Sequence, residues 1–164
     1  MNKTYQTHEF LPVYDQESRV LILGSFPSVK SRETGFYYGH PKNRFWKLLA
    51  FLYDTKEPVS IEEKKEFLKE QKIALWDVIA SCEIAGSSDS SIQNASVNDM
   101  NIIFNAADIK AVYANGKKAE QLYRKYLEPV TNRSIVGLPS TSPANAAYSL
   151  DRLLDFWGEI KKYL

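Results

Sequence analysis

The stretch Val20–Trp46, V-L-I-L-G-S-F-P-S-V-K-S-R-E-T-G-F-Y-Y-G-H-P-K-N-R-F-W, decides the fold that the sequence predicts. It opens with a continuous apolar run, Val20–Leu23, which is typical of a strand buried on both faces. A loop rich in glycine, serine and proline follows, and it ends in the aromatic triplet Phe36–Tyr38. Pro41 then suits the first position of a helix. In an open α/β sheet, ligands bind in loops that leave the carboxyl ends of strands, so this loop is a candidate site.

The alternation of strand and helix continues to the end of the chain. Ser60 and Glu63 form a capping box, which predicts the start of a helix that runs through Lys72. Further buried strands are predicted at Ile73–Ile79, Ile109–Ala114 and Arg133–Leu138, with helices at 98–104 and 117–127 and a last helix whose apolar face carries Ala147, Leu150, Leu154 and Trp157. Residues 1–18 are predicted to be an irregular lead-in. Four strands alternating with helices predict an α/β fold, three-layer α/β/α with a central four-stranded parallel sheet.

Composition limits the classes of function. The chain has 164 residues, which suits one domain spanning 1–164, and its formal net charge of +1 means that nucleic-acid binding would need a local basic patch. Cys82 is the only cysteine, and His8 and His40 are the only histidines, so we expect no disulfide, no iron–sulfur cluster and no metal site. The sequence shows no apolar leader and no bilayer-length apolar run. We therefore expect a cytoplasmic protein without a cofactor.

Three segments carry a resemblance to a known family. The segments G-S-F-P-S from Gly24, F-Y-Y-G-H-P-K-N-R-F-W from Phe36 and L-P-S-T-S-P-A-N from Leu138 resemble the two motif regions of the uracil-DNA glycosylase superfamily. They are most similar to the branch that excises hypoxanthine from DNA, and the second segment also resembles the mismatch-specific uracil/thymine glycosylases. The resemblance implies a uracil-DNA glycosylase-like domain that flips out deaminated bases and hydrolyses the N-glycosidic bond, with hypoxanthine favoured and uracil as an alternative.

One position departs from the mismatch-specific pattern. Those relatives carry Gly-x-Asn-Pro in the first motif, where the asparagine holds the attacking water, whereas this chain has Phe26 there. A phenyl ring forms no hydrogen bond with water. The hypoxanthine branch shares this lack, and its catalytic amide is attributed to the asparagine of H-P-x-N, which is Asn43 here. The resemblance therefore implies that Asn43 is catalytic, near a helix N-terminus, by bonding to the departing purine or by orienting water.

The predicted pocket must hold an extruded base and restore its lost stacking on an aromatic face. By its place in the motif, Tyr38 is the predicted stacking residue. The base-binding pocket is predicted to comprise Gly24, Ser25, Phe26, Pro27 and Tyr38. Asp77 and Asp89 sit near the carboxyl end of the second strand, and together with Asn145 they are the next candidates for a catalytic role.

The second loop is predicted to handle the DNA strand. Serine and threonine hydroxyls and backbone amides suit phosphate contacts, and the tip that opens the last helix would enter the gap left by the flipped base. The predicted DNA-binding residues are Ser140, Thr141, Ser142, Pro143, Ala144, Asn145, Lys42 and Arg44. Basic side chains around the first loop provide the local patch.

Other functions are less well supported by the residues. A lyase step requires a nucleophilic lysine, and nothing marks Lys42 or Lys47 as buried, so a monofunctional, monomeric enzyme is predicted. A non-catalytic reader of damaged or flipped bases would need the same pocket, and a hydrolase of free nucleosides would not need the DNA-binding loop. The sequence has no phosphate-cradling P-loop and no Gly-x-Ser-x-Gly elbow.

Overall fold

The computed structural model describes residues 3–8 and 10–163. Its strands are β1 (Thr4–Thr7), β2 (Val20–Gly24), β3 (Ile73–Asp77), β4 (Ile79–Ile84), β5 (Gln93–Val97), β6 (Ala111–Asn115) and β7 (Val136–Leu138). Its α-helices are α1 (Val29–Thr34), α2 (Phe45–Leu52), α3 (Ile61–Glu70), α4 (Asn101–Phe104), α5 (Lys117–Tyr126), α6 (Glu128–Thr131) and α7 (Leu150–Trp157), with 3₁₀ helices at Asp89–Ser91 and Gly158–Tyr163.

A parallel sheet in the order β3-β2-β6-β7 lies at the centre, with helices packed on it. This confirms the predicted α/β fold class. All five residues of β2 are buried, because an inner parallel strand covered by helices on both faces has no solvent side. Both faces of the sheet are therefore apolar at β2 and β3, where every strand residue is buried.

The predicted strand at Ile73–Ile79 is wrong in its last two residues. The parallel strand ends at Asp77, and after Val78 the chain enters β4, which belongs to a separate antiparallel sheet in the order β1-β4-β5. The prediction of an irregular lead-in is also wrong at Thr4–Thr7, which pairs with β4. Both outer strands are short and largely exposed, so they lack the apolar alternation that would mark them in the sequence.

The helix predicted from Pro41 begins four residues later, at Phe45. Residues 41–44 form a turn because the Arg44 N–H donates to the carbonyl of Thr141, on a distant loop, and not to a helical neighbour. The apolar stripe of α2 packs as predicted, with Phe45, Leu48 and Leu49 fully buried. The turn leaves Asn43 just before the helix, where its side chain is free to contact other loops.

The ends of α3 and of the last helix differ in part from the prediction. The Ser60–Glu63 capping box is present at the start of α3, as predicted, but the helix ends at Glu70 and not at Lys72. The last helix begins at Leu150 with Ser149 as its cap, so Ala147 lies in the preceding turn and is exposed. No helix in the described part of the chain has the length and apolarity needed to cross a lipid bilayer.

The sheet register sets the position of the polar strand ends. Gly24 of β2 is paired with Asp77 of β3, and Asn115 of β6 is paired with Leu138 of β7. Since all four strands are parallel, these residues lie along one edge of the sheet. The loops that leave this edge therefore meet above it.

Candidate active site

A cavity of about 100 Å³ lies at this carboxyl edge of the central sheet. It is lined by the ends of β2, β3 and β6 and by the segments that follow β2, β4 and β7: Gly24, Ser25, Phe26, Pro27, Ser28, Ser31, Tyr37, Tyr38, Asn43, Asp77, Ser87, Asp89, Asn115, Ser140, Thr141 and Ser142. Pockets for drug-sized ligands measure about 300–1,000 Å³, so this cavity suits one small planar ring.

The carboxamide of Asn43 is held in one orientation. Its Oδ1 accepts hydrogen bonds from the backbone N–H of Phe45 at 3.0 Å and from the Thr141 hydroxyl at 2.8 Å. A backbone N–H only donates, so the atom facing it must be the amide oxygen. Within the described residues the amide nitrogen makes no hydrogen bond, and Asn43 lines the cavity. Asn43 therefore offers the cavity an N–H donor and no acceptor.

A second amide fixes the Thr141 hydroxyl. The backbone N–H of Thr141 donates to Asn115 Oδ1 at 3.0 Å, and Asn115 Nδ2 donates to Thr141 Oγ1 at 3.1 Å. Thr141 has no exposed surface. The hydrogen bonds run from Asn115 through Thr141 to Asn43, and a backbone N–H sets the polarity at each end. Asn43 is therefore oriented by a buried network that joins the loops after β2, β6 and β7.

Tyr38 has a strained backbone and a buried hydroxyl. Its φ of 54° lies in the left-handed region, which is costly for a side chain larger than glycine. Its ring stacks on Phe45 with centroids 4.2 Å apart. Burial first, and then the negative charge of Asp77, raise the pKa of Tyr38 far above that of an ordinary phenol, against the opposing effect of the Asn115 amide. The hydroxyl makes no hydrogen bond of normal geometry in the described part of the chain.

Two carboxylates enter the cavity. Asp77, at the end of β3, is 3% exposed, and its Oδ2 lies 2.8 Å from His8 Nε2. Asp89 lies at the mouth, where its Oδ1 accepts a hydrogen bond from Ser25 at 2.7 Å. Desolvation, and to a lesser extent the Asp77 charge, raise the pKa of Asp89, while the Ser25 hydrogen bond opposes the shift.

The chain is similar over most of its length to known proteins. Residues 11–161 match the model of the uracil DNA glycosylase superfamily. The chain belongs to the uracil DNA glycosylase superfamily. It is 35% identical over 155 residues to the hypoxanthine DNA glycosylase of Methanosarcina barkeri, covering 93% of this chain and 96% of that protein. It is 34% identical over 145 residues to the protein of the same name from Methanosarcina acetivorans, covering 87% and 90%.

A solved structure supports the same assignment. The chain superimposes with a TM-score of 0.81 on the solution NMR structure of a candidate uracil DNA glycosylase from Methanosarcina acetivorans. The two are 31% identical, and the match covers 97% of this chain and 98% of that one. As a member of the superfamily, the chain carries Phe26 in the cavity wall where the mismatch-specific pattern has asparagine.

The structure brings all the residues of the predicted pocket together. The five predicted base-binding residues, Gly24, Ser25, Phe26, Pro27 and Tyr38, line the same cavity as Asn43, and so do Ser140, Thr141 and Ser142 of the second loop. Asp77 and Asp89, the two alternative candidates, also line it. Within the described residues, no group of three or more histidine, cysteine, aspartate or glutamate side chains is arranged to hold a metal ion.

Two residues predicted to bind DNA have protein partners instead. The Thr141 hydroxyl and N–H are both used in the buried network, so neither is available to a phosphate. The Arg44 guanidinium donates to the carbonyls of Ser142 at 2.9 Å and Asn145 at 3.1 Å, and it also bonds to the carbonyl of Tyr148. Arg44 therefore ties the second loop to the first motif.

The remaining predicted DNA contacts lie outside this network. Lys42 and Ala144 are exposed, and Pro143 is half-buried. Asn145 Nδ2 donates to the carbonyl of Ser140 at 3.0 Å, which closes the loop on itself. The tip at 143–145 does not open the last helix, because that helix begins at Leu150.

His8 and Asn115 were not predicted as site residues. Asn115 had a usable signal, since it is a polar residue directly after a buried strand. His8 had none: it lies in a segment predicted to be irregular, and its partner Asp77 is 69 positions away in the sequence. Its place in the site is decided by the pairing of β1 with β4.

Proposed function

We propose that this protein is a monofunctional, monomeric DNA repair glycosylase that excises deaminated bases, with hypoxanthine preferred over uracil. The observation that carries the proposal is the Asn43 carboxamide, held with its N–H donor toward a cavity the size of one small ring. The relatives named hypoxanthine DNA glycosylase support the choice of base.

The proposed chemistry follows from the charges that develop on the sugar and the base as the bond between them breaks. As the bond between the sugar and the base breaks, the sugar becomes cationic and the electron pair remains on the base. An N–H donor at the leaving base stabilises that charge in a water-poor site, and such donors are worth about 100- to 1,000-fold in rate. The Asn43 oxygen already has two donors, so it does not accept a proton from the attacking water. Asp89, which lines the cavity, is the carboxylate proposed to serve that water.

The DNA strand is proposed to run over the surface around the cavity. Lys42 and Lys47 are exposed beside the first motif and would contact phosphates. The tip at 143–145 would fill the space left by the flipped nucleotide. Ser140 and Ser142 would contact the flipped nucleotide, since they line the cavity.

The direct test is excision from labelled duplexes that contain one deoxyinosine or one deoxyuridine, followed by alkaline cleavage of abasic sites. We expect strand cleavage at deoxyinosine, less at deoxyuridine, and none without alkali because no lyase step is proposed. An intact deoxyinosine strand at excess protein would contradict the proposed activity.

A non-catalytic reader of flipped bases is the second candidate. It is favoured by Phe26, because this phenyl ring replaces the amide that holds water in the mismatch-specific pattern. Binding of the deoxyinosine duplex in a gel shift, with no alkali-sensitive product, would support the reader.

Replacing Thr141 by valine is expected to slow deoxyinosine excision by roughly tenfold. The change keeps the shape of the side chain but removes the donor that orients Asn43 and leaves the Asn115 amide unpaired, which also lowers the free energy of unfolding by about 1–3 kcal/mol. Single-turnover excision and urea unfolding measure the two effects. Thr55→Val, at an exposed threonine, is the matched control. A Thr141→Val variant with wild-type excision would show that Asn43 does not need this network.

A further inference from the structure

The pair formed by His8 and Asp77 has no assigned role in bond cleavage. The two side chains are 3% and 4% exposed and lie 2.8 Å apart. Among the described residues, no lysine or arginine nitrogen lies within 4.0 Å of the Asp77 carboxylate. A buried carboxylate without a cationic partner is costly to desolvate, so its position against the cavity calls for a function.

The backbone sets the polarity of this pair. The N–H of Phe10 donates to His8 Nδ1 at 3.2 Å, so that nitrogen carries no proton. The imidazole is then neutral with its proton on Nε2, which donates to Asp77 Oδ2. Asp77 Oδ1 makes no hydrogen bond with the residues that the structure describes. His8 therefore occupies one carboxylate oxygen and leaves the other as a single acceptor.

A donor lies beside this acceptor. An atom placed at the Cβ position of Gly24 would be 2.4 Å from Asp77 Oδ1 and 2.9 Å from the Tyr38 hydroxyl oxygen. The raised pKa of Tyr38 keeps the hydroxyl protonated at neutral pH, so it can donate. An acceptor and a donor therefore lie around the same point next to Gly24, in residues that line the cavity. The buried Tyr38 hydroxyl has no hydrogen-bond partner in the described residues.

We propose that Asp77 Oδ1 and the Tyr38 hydroxyl read the lactam edge of a flipped base, with Asp77 accepting from the ring N–H and Tyr38 donating to the adjacent carbonyl. The inference rests on the proposed function. Deamination of adenine converts N1 from an acceptor into an N–H and replaces the amino group by a carbonyl, and deamination of cytosine does the same at N3 and C4. The pair therefore distinguishes hypoxanthine from adenine and uracil from cytosine. Guanine and thymine carry the same lactam edge, so this pair does not exclude them. Adenine bound in the same orientation would place its N1 lone pair against the Asp77 carboxylate, and the two acceptors would repel each other.

His8 is the positioning residue for Asp77 in this pair, and that role gives a distinctive prediction. In Asp77→Asn, the amide oxygen must face the His8 N–H, so the amide nitrogen takes the place of Oδ1. The acceptor in the cavity becomes a donor, which opposes the ring N–H of hypoxanthine. Adding His8→Phe frees the amide to turn its oxygen inward. The phenyl ring suits the site, because Phe10, Phe26 and Tyr37 already surround His8 with ring centroids 5.6–6.0 Å away.

The test is base-specific binding in an Asn43→Ala background, where the duplex stays intact. Fluorescence anisotropy gives the Kd for duplexes with one deoxyinosine or one 2′-deoxynebularine, a purine with a lone pair on N1 and no carbonyl. The preference for deoxyinosine is the Kd for the deoxynebularine duplex divided by the Kd for the deoxyinosine duplex. We expect Asp77→Asn to lower this ratio by roughly tenfold and His8→Phe/Asp77→Asn to restore most of it. Asp155→Asn, an exposed carboxylate on α7, is expected to leave the preference unchanged.

Two results would overturn the inference: an unchanged preference in Asp77→Asn, or a reduced preference that His8→Phe does not restore, which would indicate simple damage to the pocket. Because binding needs no cleavage, the outcome is independent of the excision assay. A wild-type protein that leaves deoxyinosine duplexes uncut would refute the proposed glycosylase activity. The ratio of the two Kd values would still test whether Asp77 and Tyr38 recognise the base.

Discussion

Replacing Asn43 by alanine is expected to lower single-turnover excision of hypoxanthine by about 100- to 1,000-fold while leaving the Kd for a deoxyinosine duplex within about threefold of wild type. The donor at the leaving base acts mainly in the transition state, whereas affinity for DNA comes largely from phosphate contacts. Single-turnover cleavage and fluorescence anisotropy on the same duplex measure the two quantities. Asn105→Ala, at the exposed end of α4, is the matched control.

Asn43→Asp separates the two possible roles of the amide. A carboxylate oxygen still accepts from the Phe45 N–H and the Thr141 hydroxyl, so the turn before α2 keeps both hydrogen bonds. The side chain loses the N–H donor and turns a negative oxygen toward the base. We expect Asn43→Asp to be as inactive as Asn43→Ala. An Asn43→Asp variant near wild-type activity would show that the side chain acts as an acceptor, as in water positioning.

Replacing Gly24 by alanine is expected to reduce excision by roughly 100-fold or more. The added methyl group would lie 2.4 Å from Asp77 Oδ1 and 2.9 Å from the Tyr38 hydroxyl, which is inside van der Waals contact. The carboxylate cannot simply move aside, because His8 holds its other oxygen, and Tyr38 is packed against Phe45. Forcing an extra methyl group into such a site costs about 1–3 kcal/mol of stability.

The comparison for this variant is Gly158→Ala. A Cβ at Gly158 meets no atom within 4 Å, and its φ of −55° is accessible to any residue. We expect Gly158→Ala to retain wild-type excision and the wild-type unfolding midpoint in urea. If Gly24→Ala also retained excision, the floor of the cavity would be deformable, and the close approach of Asp77 and Tyr38 would have no role in base binding.

The central sheet was predictable because its signals are local. The run at Val20–Leu23 is apolar at every position, as a strand covered on both faces must be, and the run Ala111–Ala114 before Asn115 carries the same signal. The antiparallel sheet was not predictable. Its outer strands, Thr4–Thr7 and Gln93–Val97, are held by hydrogen bonds to β4 and not by burial of their own side chains.

The candidate site was likewise predictable only in part. The motif loops predicted that Asn43 and Tyr38 would share a cavity with Gly24 and Phe26, because loops after parallel strands meet at one sheet edge. Arg44 and Thr141 were predicted as DNA contacts, and the structure gives both of them protein partners. Residue type alone does not show whether a guanidinium or hydroxyl already has such a partner. Arg44 bonds to carbonyls about a hundred positions along the chain.

The sequence by itself determined the four strands of the central sheet and the two loops that carry the site, because apolar periodicity and turn chemistry act over a few residues. Only the tertiary structure decided which atoms face the cavity and whether each donates or accepts. The polarity of a hydrogen bond depends on both partners, and here those partners are far apart: 98 positions separate Asn43 from Thr141, and 69 separate His8 from Asp77.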